Sequence, residues 1–163
     1  MLDASFLIVK PELISTRGSI TAKIDGPVAK SLTRRGFTPC FNAERSNWQE
    51  FTMEIYKNVL NPEQLNAYLE GYAINCWGSE YSFFIIEHPE GQTMKRLKDE
   101  QGSFKGYQEK IETTLRAEFG LPKEFNRSCG EMTLVYSGVH CPGNDSELLN
   151  HIKFLNLEKI FSI

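Results

Sequence analysis

The residues best suited to chemistry lie in the segment GVHCPGNDSELL, between Gly138 and Leu149. His140 ends a short apolar run, and a turn-rich stretch separates it from a helical pattern that begins near Asp145. A neutral imidazole nitrogen is a competent nucleophile, and the ordinary pKa of histidine, about 6.5, leaves much of it neutral at cellular pH. We therefore interpret His140 as a nucleophile presented to a phosphate, which splits one phosphoryl transfer into two steps.

A plainer interpretation makes His140 a turn or surface residue, which is the commoner role of a lone histidine after a strand. The adjacent Cys141 suggests a cysteine–histidine pair, but neighbouring residues of an extended segment point in opposite directions. A nucleophilic His140 also needs an acceptor that fixes its tautomer, and either Glu147 or a backbone carbonyl is available. His88 and His151 are expected to be surface residues.

Apolar and β-branched runs predict the strands that position these residues. Pro39 places the second strand at an edge of the sheet, because proline cannot donate to a strand ladder. The predicted strands are Ser5–Val9, FTPCFNA from Phe37, EYSFFIIEH from Glu80 and MTLVYS from Met132.

Helical spacing with proline starts and glycine stops predicts the helices, and STRGS and LPKEFNRSCGE are expected to be loops. The predicted helices begin at Pro27 (stopping at Gly36), at Ser46 or Asn47, at Asn61 (stopping at Gly71), in GQTMKRLKDEQG from Gly91, in GYQEKIETTLRAEFG from Gly106, and at Asp145 or Ser146. The order of elements predicts an α+β fold of the ferredoxin-like βαββαβ kind, with an antiparallel sheet and helices packed on one face.

Length and composition limit the classes of protein. A chain of 163 residues predicts a single domain over residues 1–163. The net charge of −3 gives no basic excess for nucleic acid, and no long apolar run predicts a membrane span. The four cysteines form no CxxC pair, so no metal site is predicted, and free thiols fit a reducing cytoplasm.

Three segments together resemble one known family. They are SFLIVKPELISTRGSI from Ser5, with the following helix closing on RRGF; EGQTMKRLKDEQGSFKGYQEKIETTLRAEF from Glu90; and VHCPGNDSELLNHI from Val139. In the same order, the nucleoside diphosphate kinase family has a strand ending in Lys-Pro-Asp, a segment from Glu-Gly to Thr-Ile-Arg-Gly-Asp-Phe, and a His-Gly-Ser-Asp-Ser turn before a helix. The chain resembles that family over nearly its whole length.

The resemblance implies a phosphotransferase that moves the γ-phosphate of a nucleoside triphosphate to a nucleoside diphosphate through a phosphohistidine at His140. Lys10 would place a point charge on the transferring phosphate, and Arg116 would bind phosphate oxygens. Lys98 or Arg96 stands in for a family arginine, Ser103 or Lys105 stands in for a family threonine, and Arg96 and Lys98 are both candidates for binding the outer phosphates. Mg²⁺ would arrive on the nucleotide, since it needs few protein ligands, and a homo-oligomer is implied.

Two further positions follow from the same resemblance. Tyr56 matches a family tyrosine, and Ser137 stands where the family has an asparagine. The acidic helix residue that orients the family's histidine aligns near Lys153, and its base-stacking phenylalanine aligns near Gln64 or Leu65.

Other interpretations of these residues stay open. Lys10, Arg96, Lys98 and Arg116 are, by default, solvated charges on strand ends and helix faces. The alternative functions are a catalytically weak or inactive nucleotide-binding or assembly domain of the same fold, and an enzyme of related chemistry such as nucleotide hydrolysis or nucleotidyl transfer.

Overall fold

A computed structural model describes residues 3–109 and 113–163. Six strands lie in these ranges: β1 Ala4–Val9, β2 Thr38–Arg45, β3 Tyr81–Glu87, β4 Arg127–Cys129, β5 Met132–Leu134 and β6 Val139–His140. Four of them form an antiparallel sheet in the order β2–β3–β1–β6. The α+β ferredoxin-like class is therefore confirmed, and Pro39 lies in an edge strand as predicted.

Eight α-helices lie in the same ranges: α1 Pro11–Arg17, α2 Pro27–Arg34, α3 Trp48–Tyr56, α4 Pro62–Ile74, α5 Thr93–Gln101, α6 Phe104–Gln108, α7 Leu115–Phe119 and α8 Asp145–Phe154. Proline occupies the first turn of α1, α2 and α4, where its missing N–H costs no hydrogen bond. Asn61 and Gln64 form a reciprocal capping box at the start of α4. The cap of α8 is Asn144, one residue before the predicted Asp145.

The helices cover both faces of the sheet, so the prediction of helices on one face is wrong. Alternate residues of β1 point to opposite sides: Phe6 and Ile8 pack with α3, α4 and α8, whereas Leu7 and Val9 pack with α1, α2, α5 and α7. The run ASFLIV has no polar face beyond Ser5, and all six residues are buried. A strand buried on both sides is typical of a doubly covered sheet.

Three local predictions are corrected. The STRGS segment belongs largely to α1, which starts at Pro11 directly after β1. The fourth strand of the sheet is the short β6, while MTLVYS contributes β5 to a separate hairpin with β4, within the segment expected to be loop. The long helix expected from Gly106 to Gly120 is represented by the end of α6 and by α7, and residues 110–112 of it lie outside the described ranges.

The predicted stop of α4 at Gly71 is also wrong, because the helix continues to Ile74. A Cβ atom at Gly71 would collide with the hydroxyl of Tyr136. Tyr136 donates from that hydroxyl to the backbone carbonyl of Tyr68 at 2.8 Å. Gly71 therefore serves close packing rather than helix termination.

Candidate active site

β6 pairs beside the C-terminal end of β1, and this pairing brings Lys10 and His140 close together. β1 and β6 are antiparallel, with Ile8 opposite His140. The backbone N–H of Lys10 donates to the carbonyl of Gly138 at 2.9 Å. Gly138 has φ +76°, and a Cβ there would collide with the carbonyl of Phe119, so only glycine fits this turn.

Lys10 is fully buried and is paired with a buried carboxylate. Its Nζ lies 3.1 Å from Oε2 of Glu12, and both side chains are 0% exposed. Nζ makes no formal hydrogen bond with any described residue. A buried ammonium with donors left over is suited to receiving an anion. Glu12 was not predicted as a site residue.

Glu12 is held by donors on two sides. Its Oε1 accepts from the hydroxyl of Tyr72 at 2.5 Å, and its Oε2 accepts from the N–H of Gly138 at 3.1 Å. Burial, followed by the charge of Glu12, raises the pKa of Tyr72 well above its ordinary value, so this phenol stays a donor. The hydroxyls of Tyr68 and Tyr72 are 3.1 Å apart. The ring of Tyr68 also faces Lys10, whose Nζ lies 5.3 Å from the ring centroid.

Tyr56, at the end of α3, contacts both Lys10 and His140 through its ring. Its ring lies edge-on to the imidazole of His140 at a centroid distance of 5.7 Å. The Nζ of Lys10 lies 6.0 Å from the same ring. The structure therefore brings these three predicted site residues together.

The half-buried imidazole of His140 contacts a second imidazole, that of His151 on α8. The two Nε2 atoms are 3.4 Å apart, and the ring planes are inclined by 15°. His151 is only 2% exposed, so its prediction as a surface residue is wrong. From α8 it is thus His151 that contacts His140, whereas Lys153, which the resemblance aligns near the orienting position, is exposed. Because a helix presents residues two apart on different faces, sequence alignment alone does not reveal this contact.

Burial is the largest effect that lowers the pKa of His140 well below 6.5. The positive charges of its surroundings act in the same direction; they belong to His151 when protonated, Lys10, Arg116 and Lys98. A depressed pKa keeps the imidazole neutral, with a free lone pair, at neutral pH. The same cations that depress the pKa form an electropositive environment for a phosphate.

Arg116 is 8% exposed and lies near His140 on α7. Its Nη1 donates to the carbonyl of Gly102 at 2.9 Å, while its buried Nε makes no hydrogen bond with the described residues. The ring of Phe104 covers the guanidinium at 4.1 Å from Cζ to the centroid. Burial lowers the pKa of Arg116 from its ordinary value, which for arginine leaves the charge in place.

The remaining predicted residues divide between the site and its surroundings. Lys98 is exposed, and its amino group lies beside Gly143 in the turn after His140. Arg96 is turned away, since its Nε donates to the carbonyl of Gly91 at 2.9 Å and its Nη2 pairs with Glu90 at 3.4 Å. Its assignment to phosphate binding stays a prediction.

Ser137 is buried and turned toward its own strand. Its hydroxyl donates to the carbonyl of Val139 at 3.2 Å. Glu147, the proposed acceptor for His140, instead receives the N–H of Gly143 at 2.7 Å and so closes the turn. Both residues shape the loop around His140 without contacting its ring in the structure.

Gln101 is a buried residue that sequence analysis missed. Its Oε1 accepts the N–H of Cys141 at 2.9 Å, and its Nε2 has no partner within the described ranges. Burial raises the pKa of the Cys141 thiol to about 12. Cys141 packs on the opposite face of the sheet from His140, so a cysteine–histidine nucleophile is ruled out by geometry.

An apolar cleft opens beside Tyr56 and Tyr68. Phe104, which is 42% exposed, forms another wall. The cleft is lined by Tyr56, Val59, Leu60, Tyr68, Phe104, Met132, Thr133, Leu134 and Val135. A flat apolar group fits such walls, and Gln64 and Leu65 are not among them.

No group of three or more histidine, cysteine, aspartate or glutamate side chains in the described ranges is arranged to hold a metal ion. Within the same ranges, no helix is long and apolar enough to cross a bilayer.

Solved structures of nucleoside diphosphate kinases share this fold. The enzyme from Aquifex aeolicus matches with a TM-score of 0.64 and 16% identity, covering 93% of both chains. The enzyme from Borrelia burgdorferi, a transition-state mimic with bound vanadate and ADP, matches with a TM-score of 0.65 and 15% identity, covering 92% of this chain and 84% of that one. No protein-family model and no curated protein sequence matches the chain. The chain therefore has the nucleoside diphosphate kinase fold, and the resemblance seen in the sequence is confirmed at that level.

Proposed function

We propose that the protein is a phosphotransferase that moves the γ-phosphate of a nucleoside triphosphate to a nucleoside diphosphate through a phosphohistidine at His140. One observation carries the proposal: the imidazole of His140 lies against Tyr56, which Lys10 also contacts and which lines an apolar cleft, and the charges of Lys10, Lys98 and Arg116 act on that imidazole. The fold shared with nucleoside diphosphate kinases supports it. We extend the proposal to residues 1–163 acting as one domain in the cytoplasm.

Two bond exchanges make up the reaction. A ring nitrogen of His140 forms a bond to the γ-phosphorus while the bond to the β,γ-bridging oxygen breaks, and the diphosphate leaves with that electron pair. A terminal phosphate oxygen of the second diphosphate then attacks the phosphorus and releases the imidazole. Lys10 and Arg116 neutralise the phosphoryl oxygens, and Lys98 assists at the mouth of the site.

The nucleotide would lie with its phosphates toward His140 and its base in the apolar cleft between Tyr68 and Phe104. Mg²⁺ enters as part of this substrate, because it prefers phosphate oxygens and retained waters over a dedicated protein cage. Tyr56 sits between the cleft and the imidazole and would orient the sugar end. Neither base nor sugar preference follows from phosphate contacts.

The experiment that tests the proposal incubates the full chain with γ-labelled ATP and Mg²⁺. We expect an acid-labile, base-stable label on the protein that is discharged by unlabelled nucleoside diphosphate. His140→Ala should abolish the label, whereas His88→Ala, at a half-buried histidine on the far side of the sheet against Phe37, should retain it. A label that survives His140→Ala would overturn the proposal.

A second candidate function is nucleotide binding without transfer. It is favoured by Arg116 and Ser137, whose polar atoms are engaged by the backbone carbonyls of Gly102 and Val139. That candidate predicts nucleotide-dependent thermal stabilisation with no protein label. The homo-oligomer implied by the resemblance is a separate prediction, measured by light scattering on the eluting protein.

A further inference from the structure

The contact between His140 and His151 restricts where protons can lie. The two Nε2 atoms face each other at 3.4 Å, a distance at which a single proton fits between them. With both rings neutral, one Nε2 carries that proton and the other accepts it. If His151 donates, His140 must be protonated at Nδ1, and then no nitrogen of His140 has a free lone pair. If His140 donates, its Nδ1 is free.

The surroundings of His151 favour the second arrangement. The backbone carbonyl of Glu147, one helical turn earlier, raises the pKa of His151 against the opposing effect of burial. With Nε2 occupied by His140, Nδ1 is the His151 nitrogen on the side of that carbonyl. Nδ1 makes no hydrogen bond of standard geometry with the described residues. A carbonyl accepts but cannot donate, so it favours a proton on Nδ1 and an unprotonated Nε2.

Aromatic side chains hold the His151 ring in this orientation. Phe6 stacks on it with ring centroids 6.5 Å apart, and Phe51 contacts it edge-on at 5.5 Å. These two contacts come from different elements, β1 and α3. A side chain locked by packing positions its partner more accurately than a mobile one.

We infer that His151 is a positioning residue whose Nε2 accepts a hydrogen bond from the Nε2–H of His140. This hydrogen bond leaves Nδ1 of His140 unprotonated and directed at the phosphate. The inference rests on the proposed function of His140. It names a neutral imidazole for a role that the sequence resemblance assigned to an acidic residue. When Nδ1 bonds to phosphorus, the ring becomes positive and its Nε2 proton strengthens the bond to His151. No proton leaves the pair, so the step needs no additional base.

The charged and titratable groups around the pair come from every element packed against it. Those acting on His140 are His151, Lys10, Arg116 and Lys98, with Tyr56 in ring contact; those acting on His151 are Glu147 and Glu54. Any pH dependence of the pair includes these groups.

The first test measures the tautomer directly in the full chain. Long-range ¹⁵N–¹H correlation spectra of the histidine rings distinguish protonated from unprotonated nitrogens without any nucleotide. We expect His140 at neutral pH to show a protonated Nε2 and an unprotonated Nδ1. A proton on Nδ1 of His140 would overturn the inference even if the protein is a kinase. The predicted spectrum would support it even if no label is transferred.

The second test compares two replacements of His151. His151→Gln keeps an acceptor oxygen, whereas His151→Leu fills the space without one. We expect His151→Leu to slow labelling by ATP by roughly tenfold to a hundredfold, in the range found for lost partners of functional histidines, and His151→Gln to recover most of that rate. ATP affinity should change little in either variant.

A purely structural role predicts a different pattern. In that case the labelling rates of the two variants would simply follow their thermal midpoints, and the acceptor of His151→Gln would give it no advantage. The inference instead predicts that His151→Gln labels faster than His151→Leu even when the two variants are compared at equal thermal stability, because only Gln offers an acceptor to His140. Equal rates in wild-type and His151→Leu protein would overturn it.

Discussion

The ion pair between Lys10 and Glu12 carries a prediction about stability that follows from burial alone. Both side chains are 0% exposed, and Nζ lies 3.1 Å from Oε2. In Glu12→Gln the amide can still accept from Gly138 and donate to the hydroxyl oxygen of Tyr72, so most of the shape and hydrogen bonding is kept. What the substitution removes is the counter-charge of a buried ammonium.

The expected loss is large. Removing one partner of a buried pair costs about 3–5 kcal/mol, because the other charge stays buried without compensation. With a urea m-value of about 2 kcal/mol/M, the unfolding midpoint should fall by roughly 1.5–2.5 M. The matched control is Glu54→Gln, whose pair with Lys57 is exposed by 27% and 48% and should change the free energy of unfolding by less than about 1 kcal/mol.

A double variant separates charge from packing. In Lys10→Met with Glu12→Gln neither charge is present, and the amide of residue 12 keeps its hydrogen bonds with Gly138 and Tyr72, so no buried ammonium is left without a counter-charge. We expect this double variant to be more stable than Glu12→Gln in urea unfolding followed by circular dichroism. The reasoning is refuted if Glu12→Gln costs no more than Glu54→Gln, or if the double variant is the least stable of the set.

Three further outcomes follow from the same region. Folding lowers the pKa values of His140 and His151, so their contribution to stability is complete above about pH 6.5 and is lost as the pH falls below that value. The urea midpoint of the wild-type protein should therefore decline as the pH is lowered from 7.5 to 5, and that of His151→Leu should decline less. Gly138→Ala should lower the free energy of unfolding, measured in urea, by about 2 kcal/mol or more, because of the positive φ at this position and the collision of the new Cβ with the last carbonyl of α7. The exposed thiol of Cys76 should react with a thiol reagent within the mixing time of a colorimetric assay, whereas the buried thiol of Cys141 should react only after unfolding. Rapid reaction of all the thiols in the folded protein would contradict the buried position of Cys141.

Sequence patterns predicted the elements whose own residues determine them. β1 and β3 are apolar runs, and the start of α4 at Asn61 and Pro62 is set by capping chemistry within three residues. The same apolar runs indicate that the sheet is covered on both faces, because β1 buries successive residues on opposite sides. The two-residue strand β6 was missed because it is defined by its hydrogen bonds to β1 rather than by a pattern of its own.

The candidate site was predictable where the residues follow an ordered motif. Lys10 and His140 could be named from their positions at strand ends, and the structure brings them together with Tyr56. Glu12 and His151 could not be assigned their places, because each is defined by a contact across the fold, with Gly138 and with His140 respectively. Because the turn after His140 differs from that of the family, the alignment of α8 with the family is shifted, and sequence comparison does not identify His151.

The most direct measurement of the central claim is the position of the phosphoryl group after exposure of the full chain to ATP and Mg²⁺. Fragmentation mass spectrometry at neutral or mildly basic pH preserves phosphohistidine and assigns it to a residue. The account predicts one phosphoryl group per chain, on His140, which disappears when a nucleoside diphosphate is added. A phosphoryl group on another residue, or an unmodified His140 in protein that binds ATP, would contradict it.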